Sequence, residues 1–199
     1  LKAVVLNYGV GNLLSIKFGL ERAGFKVHIA TAPEALLDAD AVVLPGVGNF
    51  REASKNLDRF METLTDALES GVPTLGICLG MQLFFEESEE GGRGLGLLRG
   101  GVVRLPESVK VPHMGWNTVE SVRHSEILEG CGGRGYAYFA HSYHPSPVDR
   151  EVVAAETVYG VAFPSVVECG NLYGTQFHPE KSGRFGAEIL RNFASISKR

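Results

Sequence analysis

An α/β fold is predicted for this chain: an open mixed sheet with a parallel core, helices on both of its faces, and antiparallel strands added in the second half. Three observations carry the prediction. Short apolar runs alternate with amphipathic stretches through the first half. Each of the two main amphipathic stretches closes on a glycine, Gly24 and Gly71, where a helix cap belongs. The second half then reads as strand after strand, with almost no helical period until its end.

The elements follow in order. "AVVLNY" (3–8) is a buried first strand stopping at Gly9. From Leu13 to Ala23, the side chains Leu13, Ile16, Leu20 and Ala23 share one helical face. "FKVHIA" (25–30) alternates as a strand, a short helix follows Pro33, and "AVVLP" (41–45) is a second buried strand. One long helix is expected from Arg51 to Ser70, on Leu57, Met61, Leu64 and Leu68, before the strand "VPTLGIC". Strands alternating with helices imply a sheet that is largely parallel and covered on both sides. Beyond it, "GGVVRLP", "VPHMGWNTVESV", "GYAYFAHSY", "EVVAAETVY", "VAFPSVVEC" and "NLYGTQFHP" read as successive strands. The glycine-rich link 89–101 is expected to be the most mobile loop, and a last helix runs from Arg184 to about Ile196.

With 199 residues, 44% of them hydrophobic, the chain fits one domain over residues 1–199 with a sizeable core. A net charge of −4 and a pI near 5.9 leave no basic surface for nucleic acid or anionic membrane. A small molecule or another protein is the expected partner. Three cysteines, Cys78, Cys131 and Cys169, make no disulfide framework and no metal-like pair, so a reduced, cytoplasmic protein is expected. No leader peptide or membrane span is expected, and no metal site.

Chemistry enters at "GICLGMQ" (76–82). Gly76-x-Cys78-x-Gly80 has the form of a nucleophile elbow, a sharp strand-to-helix turn whose small flanking residues let strand and helix pass closely. A cysteine there projects out of the sheet, at a helix N-terminus that favours thiolate. The amide of Leu79 would face an oxyanion on an attacked carbonyl. The competing reading is a core cysteine in a tight turn.

A cysteine nucleophile needs a base, and "QFHPE" offers His178 with Glu180 two residues on. In an extended segment the two side chains share one side, so the carboxylate would hold the imidazole in the tautomer required. An isolated H-P-E is more often a surface pair. The remaining histidines lack that arrangement. His28 and His124 have no orienting carboxylate at a useful spacing, and His141 and His144, three apart, would face opposite sides of one strand.

"PGVGNF" (45–50) follows a parallel strand, at the edge where open α/β sheets bind ligands. Gly46 and Gly48 permit the backbone to turn the Val47 amide toward an oxyanion as a second donor. "NYGVGN" (7–12) lacks the full dinucleotide pattern, because position 14 is Leu, and reads as a tight turn.

Through "GICLGMQ" and "FHPE" the chain resembles the class I (triad) glutamine amidotransferases, and "NYGVGN", "LPGVGNF", "CLGMQLFFEESEE", "VPHMGWN" and "QFHPEKS" extend the likeness over its whole length. The resemblance implies a flavodoxin-like sheet, L-glutamine as substrate, no cofactor, and catalysis by Cys78, His178 and Glu180. It implies oxyanion donors at Val47 and Leu79. Glutamine contacts fall at Gly46, Gly48, Gln82, Ser142 and Tyr143, although an exposed Gln82 on a helix would need no such role. The five motifs narrow the likeness to glutaminase subunits that pass ammonia to a (β/α)8-barrel cyclase as a heterodimer. The interface is then expected at Asn12, Trp116, Tyr138 and Lys181. Trp116 is equally a core residue by type, whereas a Lys directly after the triad Glu suits a gate or salt bridge to a specific acid.

Other readings share these residues: the glutaminase subunit of another ammonia-channelling synthase, a stand-alone glutamine or γ-glutamyl hydrolase, and a binding module with an inert Cys78. A further expectation concerns the 45–48 loop, which would flip to complete the oxyanion hole when the partner holds its nucleotide.

Overall fold

The first strand, Lys2–Leu6 (β1), sends Ala3 and Val5 to one side and Val4 and Leu6 to the other, all fully buried. A strand apolar on both sides needs cover on both, and the rest of the chain supplies it. The structure, a computed structural model, describes residues 1–199.

Helix α1 (Leu13–Arg22) is capped by the Asn12 side chain, which accepts from the Ser15 amide at 3.3 Å. It leads to β2 (Lys26–Ala30) and, past a 3₁₀ turn at Pro33–Leu36, to β3 (Ala41–Leu44). The single helix expected from Arg51 to Ser70 is broken. α2 (Phe50–Leu57) and α3 (Met61–Glu69) are separated by a 3₁₀ turn, Asp58–Phe60. The turn buries Phe60 while Arg59 reaches across to the Asn7 carbonyl at 2.7 Å. The buried stripe therefore runs Ala53, Leu57, Phe60, Leu64 and Ala67, and the expected Met61 and Leu68 are only half-buried. β4 (Thr74–Ile77) follows, then α4 (Leu79–Gln82), a single turn.

The short β5 (Glu87–Ser88), β6 (Gly100–Arg104) and β9 (Tyr143–Pro147) form a small separate sheet. The glycine-rich link between β5 and β6 is pinned, contrary to expectation. Backbone amides of Gly94, Leu95, Gly96 and Leu98 donate to the carbonyls of Glu86, Leu83, Phe85 and Phe84. Glycines there serve close backbone approach rather than freedom.

The remaining strands are β7 (His113–Ser121), β8 (Arg134–His141), β10 (Val153–Tyr159), β11 (Val161–Cys169) and β12 (Leu172–Thr175), ahead of α5 (Gly183–Ile196). They complete a nine-stranded sheet in the order β2-β1-β3-β4-β12-β11-β10-β7-β8. The first five are parallel and the last four join by antiparallel pairings, as the sequence predicted. The parallel order 2-1-3-4-5 is that of flavodoxin-like sheets, which bind ligands outside the carboxyl ends of their strands.

Two hydrophobic clusters cover the two faces. Ile16 and Leu20 of α1 with Ile189, Leu190 and Phe193 of α5 lie on one, and Phe50, Leu57, Leu64, Leu79 and Met81 on the other. Because β1, β3, β4 and β12 run the same way, the segments after them, at 7–12, 45–49, 78–82 and 176–182, gather along one edge.

Candidate active site

Cys78 is the only non-glycine residue with positive φ, at φ 54° and ψ −109°. The strained turn is held because nothing larger than glycine fits beside it. A Cβ on Gly76 would lie 2.6 Å from the Met81 nitrogen, and one on Gly80 would overlap the Leu44 carbonyl. Cys78 is only 4% exposed, yet it lines a cavity of about 250 Å³ with Val47, Gly48, Leu79, Gln82, Glu90, Met114, His141, Ser142 and Tyr143 among its walls. The turn has the geometry expected of a nucleophile elbow, with one difference. α4 is one turn long, so the helix dipole expected to act on the sulfur is small.

The residue expected to serve as base, His178, is placed at the same sheet edge. Its Nδ1 lies 3.0 Å from Glu180 Oε1, with both side chains almost completely buried. Its Nε2 is buried with no hydrogen-bond partner. Burial by itself pushes His178 down, but the nearby Cys78 and Glu180 outweigh it and raise the imidazole to about 10. The pairing with Glu180 was foreseen for a different reason. His178 itself is extended, but Pro179–Lys181 is a 3₁₀ turn, so the turn and not strand alternation brings carboxylate to imidazole. The His178 backbone is clamped from both sides. Its amide donates to the Tyr138 carbonyl at 2.9 Å, and the Ser182 hydroxyl donates to its carbonyl at 2.6 Å.

Of the two amides expected to serve as oxyanion donors, that of Leu79 is already engaged. The Leu79 amide donates to the Gly46 carbonyl at 3.3 Å, so the loop turns a carbonyl toward the elbow. The buried Tyr8 hydroxyl donates to the Pro45 carbonyl and anchors the loop from below, while Val47 is exposed at the cavity mouth.

Gln82 departs from the exposed helix residue the sequence allowed. It is buried, and its amide nitrogen donates to the Tyr143 carbonyl at 2.8 Å and to Gln176 Oε1 at 3.0 Å. The Tyr143 carbonyl also faces His141 Nδ1 at 2.9 Å. A carbonyl only accepts, so His141 Nδ1 carries its proton and, in the neutral ring, Nε2 accepts. His113 Nδ1, 2.9 Å away, must then donate, and its Nε2 accepts from Asn117 Nδ2 at 3.3 Å. Burial supports neutral rings, pushing His141 down to about 3 and His113 to about 4. His141 and His144 do not oppose each other across one strand. The chain bends at Ser142, and both rings pack on Phe163.

Glu90 was missed by sequence reasoning, since it sits in the link read as mobile. Its carboxylate lines the cavity and accepts from the Phe50 amide at 2.6 Å. Of the expected interface residues, Trp116 is 58% exposed, which removes the core reading. Its ring meets Tyr138 at 6.2 Å between centroids, and Lys181 Nζ lies 5.9 Å from the Tyr138 ring. Lys181 has no carboxylate partner within this chain. Asn12 is exposed and its oxygen caps α1, a structural role that the interface expectation had not included.

Residues 4–196 match the family described as Glutamine amidotransferase class-I. The chain belongs to the class I glutamine amidotransferases. Among its relatives, the imidazole glycerol phosphate synthase subunit HisH of Archaeoglobus fulgidus is 52% identical over 198 residues, covering 98% of each chain. The protein of the same name from Halobacterium salinarum is 51% identical, covering 96% of this chain and 91% of its own length. Among solved structures, PurLQS from Thermotoga maritima aligns with a TM-score of 0.79 at 21% identity over 98% of both chains. At that identity the match speaks for the amidotransferase fold alone.

Proposed function

We propose that the chain is the glutaminase subunit of an imidazole glycerol phosphate synthase, hydrolysing L-glutamine to glutamate and ammonia and passing the ammonia to a (β/α)8-barrel cyclase subunit. The observation that carries the reaction is Cys78 at a strained elbow on a cavity of about 250 Å³, in a structure that pairs His178 with Glu180 and leaves Nε2 unengaged. The acceptor and partner rest on HisH relatives about half identical over nearly full length.

In this reading the Cys78 thiolate attacks the side-chain amide of glutamine. Imidazolium His178 gives its Nε2 proton to the departing ammonia, and as a neutral base it then activates the water that opens the thioester. Glu180 holds Nδ1–H and steadies the imidazolium. Both amide hydrogens of Gln82 are engaged within the protein, so it meets substrate through Oε1, an acceptor. With the Glu90 carboxylate, that suits the α-ammonium of glutamine. Gly46, Gly48 and the main chain at Ser142 and Tyr143 frame the rest. Ammonia has to stay unprotonated to react, which calls for a covered path from Cys78 to the cyclase. The aromatic and cationic face of Trp116, Tyr138 and Lys181, with Asn12, is where that partner would dock. A partner carboxylate would complete Lys181.

The test is glutamate release by the purified chain alone, then with the cyclase and its nucleotide ligand. Release confined to the full mixture is the expected result. Strong release by the chain alone would replace this reading with a self-sufficient glutamine hydrolase. In the complex, Cys78→Ala is expected to abolish synthesis from glutamine and spare synthesis from added ammonium salt.

A further inference from the structure

We infer that Gln176 is a positioning residue for the nucleophile, donating a hydrogen bond to the Cys78 sulfur through an amide whose orientation is dictated from outside the triad. The inference rests on Cys78 being the attacking group. Gln176 is fully buried, and its Nε2 lies 3.5 Å from Cys78 Sγ. A primary amide has a donor end and an acceptor end, so what it offers the sulfur depends on which way it is turned.

The surroundings leave one choice. The Tyr143 carbonyl accepts only, so the end of Gln82 that faces it at 2.8 Å is the NH₂. The same NH₂ faces Gln176 at 3.0 Å, so that end of Gln176 is the oxygen. The NH₂ of Gln176 is thereby turned to Cys78. The other close contact of Sγ outside the His178–Glu180 pair is the Ala140 carbonyl at 3.8 Å, which suits the protonated thiol. When the thiol proton leaves, that contact turns unfavourable, while the Gln176 N–H gains a full negative charge to bind. The arrangement favours thiolate and fixes its position between His178 and the cavity. The sequence held a signal for it: Gln176 stands two residues before His178 in a strand-like run, the same spacing used to place Glu180 beside His178.

The experiment measures the pH dependence of alkylation at Cys78 by iodoacetamide, read by mass spectrometry on the full chain. Cys169, exposed on β11, is the internal reference. Two variants are compared, Gln176→Met, which removes the donor, and the isosteric Gln176→Glu, which turns an acceptor toward the sulfur. Loss of a hydrogen bond to a charged group is expected to slow Cys78 alkylation at neutral pH by about tenfold in Gln176→Met and by more in Gln176→Glu, with the profile displaced to higher pH. Cys169 should not change. A Cys78 profile unmoved in either folded variant overturns the inference. Because the readout needs no glutamine, it stays separate from the proposed function, which fails instead if wild-type chain with cyclase and nucleotide releases no glutamate.

Discussion

The amide of Leu79 and the carbonyl of Gly46 are hydrogen-bonded across 3.3 Å, so the amide proposed as one oxyanion donor is occupied by the loop proposed to supply the other. An oxyanion hole requires two converging donors, and a carbonyl there repels the developing charge. Turning the Gly46–Val47 peptide would release Leu79 and present the Val47 amide in one movement. Gly48, the next residue in the loop, holds φ +129°, a conformation that an L side chain resists and that keeps the loop able to rearrange. Gly48→Ala is therefore expected to lower ligand-stimulated glutamate release at least tenfold while the chain stays folded. Unchanged stimulation would mean the loop does not turn at this position.

Strain at Cys78 is measurable apart from catalysis. A non-glycine residue at φ 54° stores energy that glycine does not. Cys78→Gly is expected to be more stable than Cys78→Ala by roughly 1 kcal/mol in urea unfolding. Equal stabilities would show the turn to be relaxed.

The flanking glycine is required for steric reasons. A Cβ on Gly80 collides with the Leu44 backbone, which cannot move without opening the sheet, whereas Gly101 has only an ordinary contact at 3.6 Å. Gly80→Ala is expected to cost about 3 kcal/mol or more, and Gly101→Ala less than about 1 kcal/mol, by denaturant midpoint.

The buried histidines set opposite pH dependences. His178, raised to about 10 in the folded protein against 6.5 unfolded, contributes stability below pH 6.5 that is lost as pH rises through 10. His113 and His141, lowered to about 4 and 3, are neutral and cost nothing above pH 6.5. Below it the unfolded state takes their protons first, so stability falls between pH 6.5 and about 4. Melting temperature followed from pH 4 to 10 should show His113→Gln with a shallower acid-side decline than wild type. Parallel declines would mean His113 titrates normally.

The exposed face of β7 predicts a partner effect. Met114 and Trp116 are 66% and 58% exposed, so truncating Trp116 leaves the fold intact. Trp116→Ala is expected to weaken cyclase binding by tenfold or more, as a central aromatic anchor does, with an unchanged melting temperature. Unaltered affinity by titration calorimetry would place the interface elsewhere.

Much of this protein was legible in its sequence because the deciding signals are local. Short β-branched apolar runs such as "AVVL" at 41–44 read as strands buried on both sides, and Gly76-x-Cys78-x-Gly80 announces a turn that only small neighbours permit. Glycine caps at Gly24 and Gly71 marked helix ends for the same reason. Where packing over distance decides, the reading failed. The helix over 51–70 breaks at Asp58–Phe60, where Phe60 is buried and Arg59 reaches Asn7. The 89–101 link is held by carbonyls of residues 83–86, and Gln82 is drawn inside by Tyr143 and Gln176.

The sequence alone thus determined the layered α/β architecture and singled out Cys78, His178 and Glu180 as candidates, since periodicity, steric tolerance and residue chemistry are properties of short segments. Only the tertiary structure decided that Leu79 is held by Gly46, that Glu90 is fixed by the Phe50 amide in the cavity wall, and that Gln176 turns its donor end toward the sulfur. Each of these is a hydrogen bond between segments far apart in the chain, and its direction depends on what every neighbouring donor and acceptor has already taken.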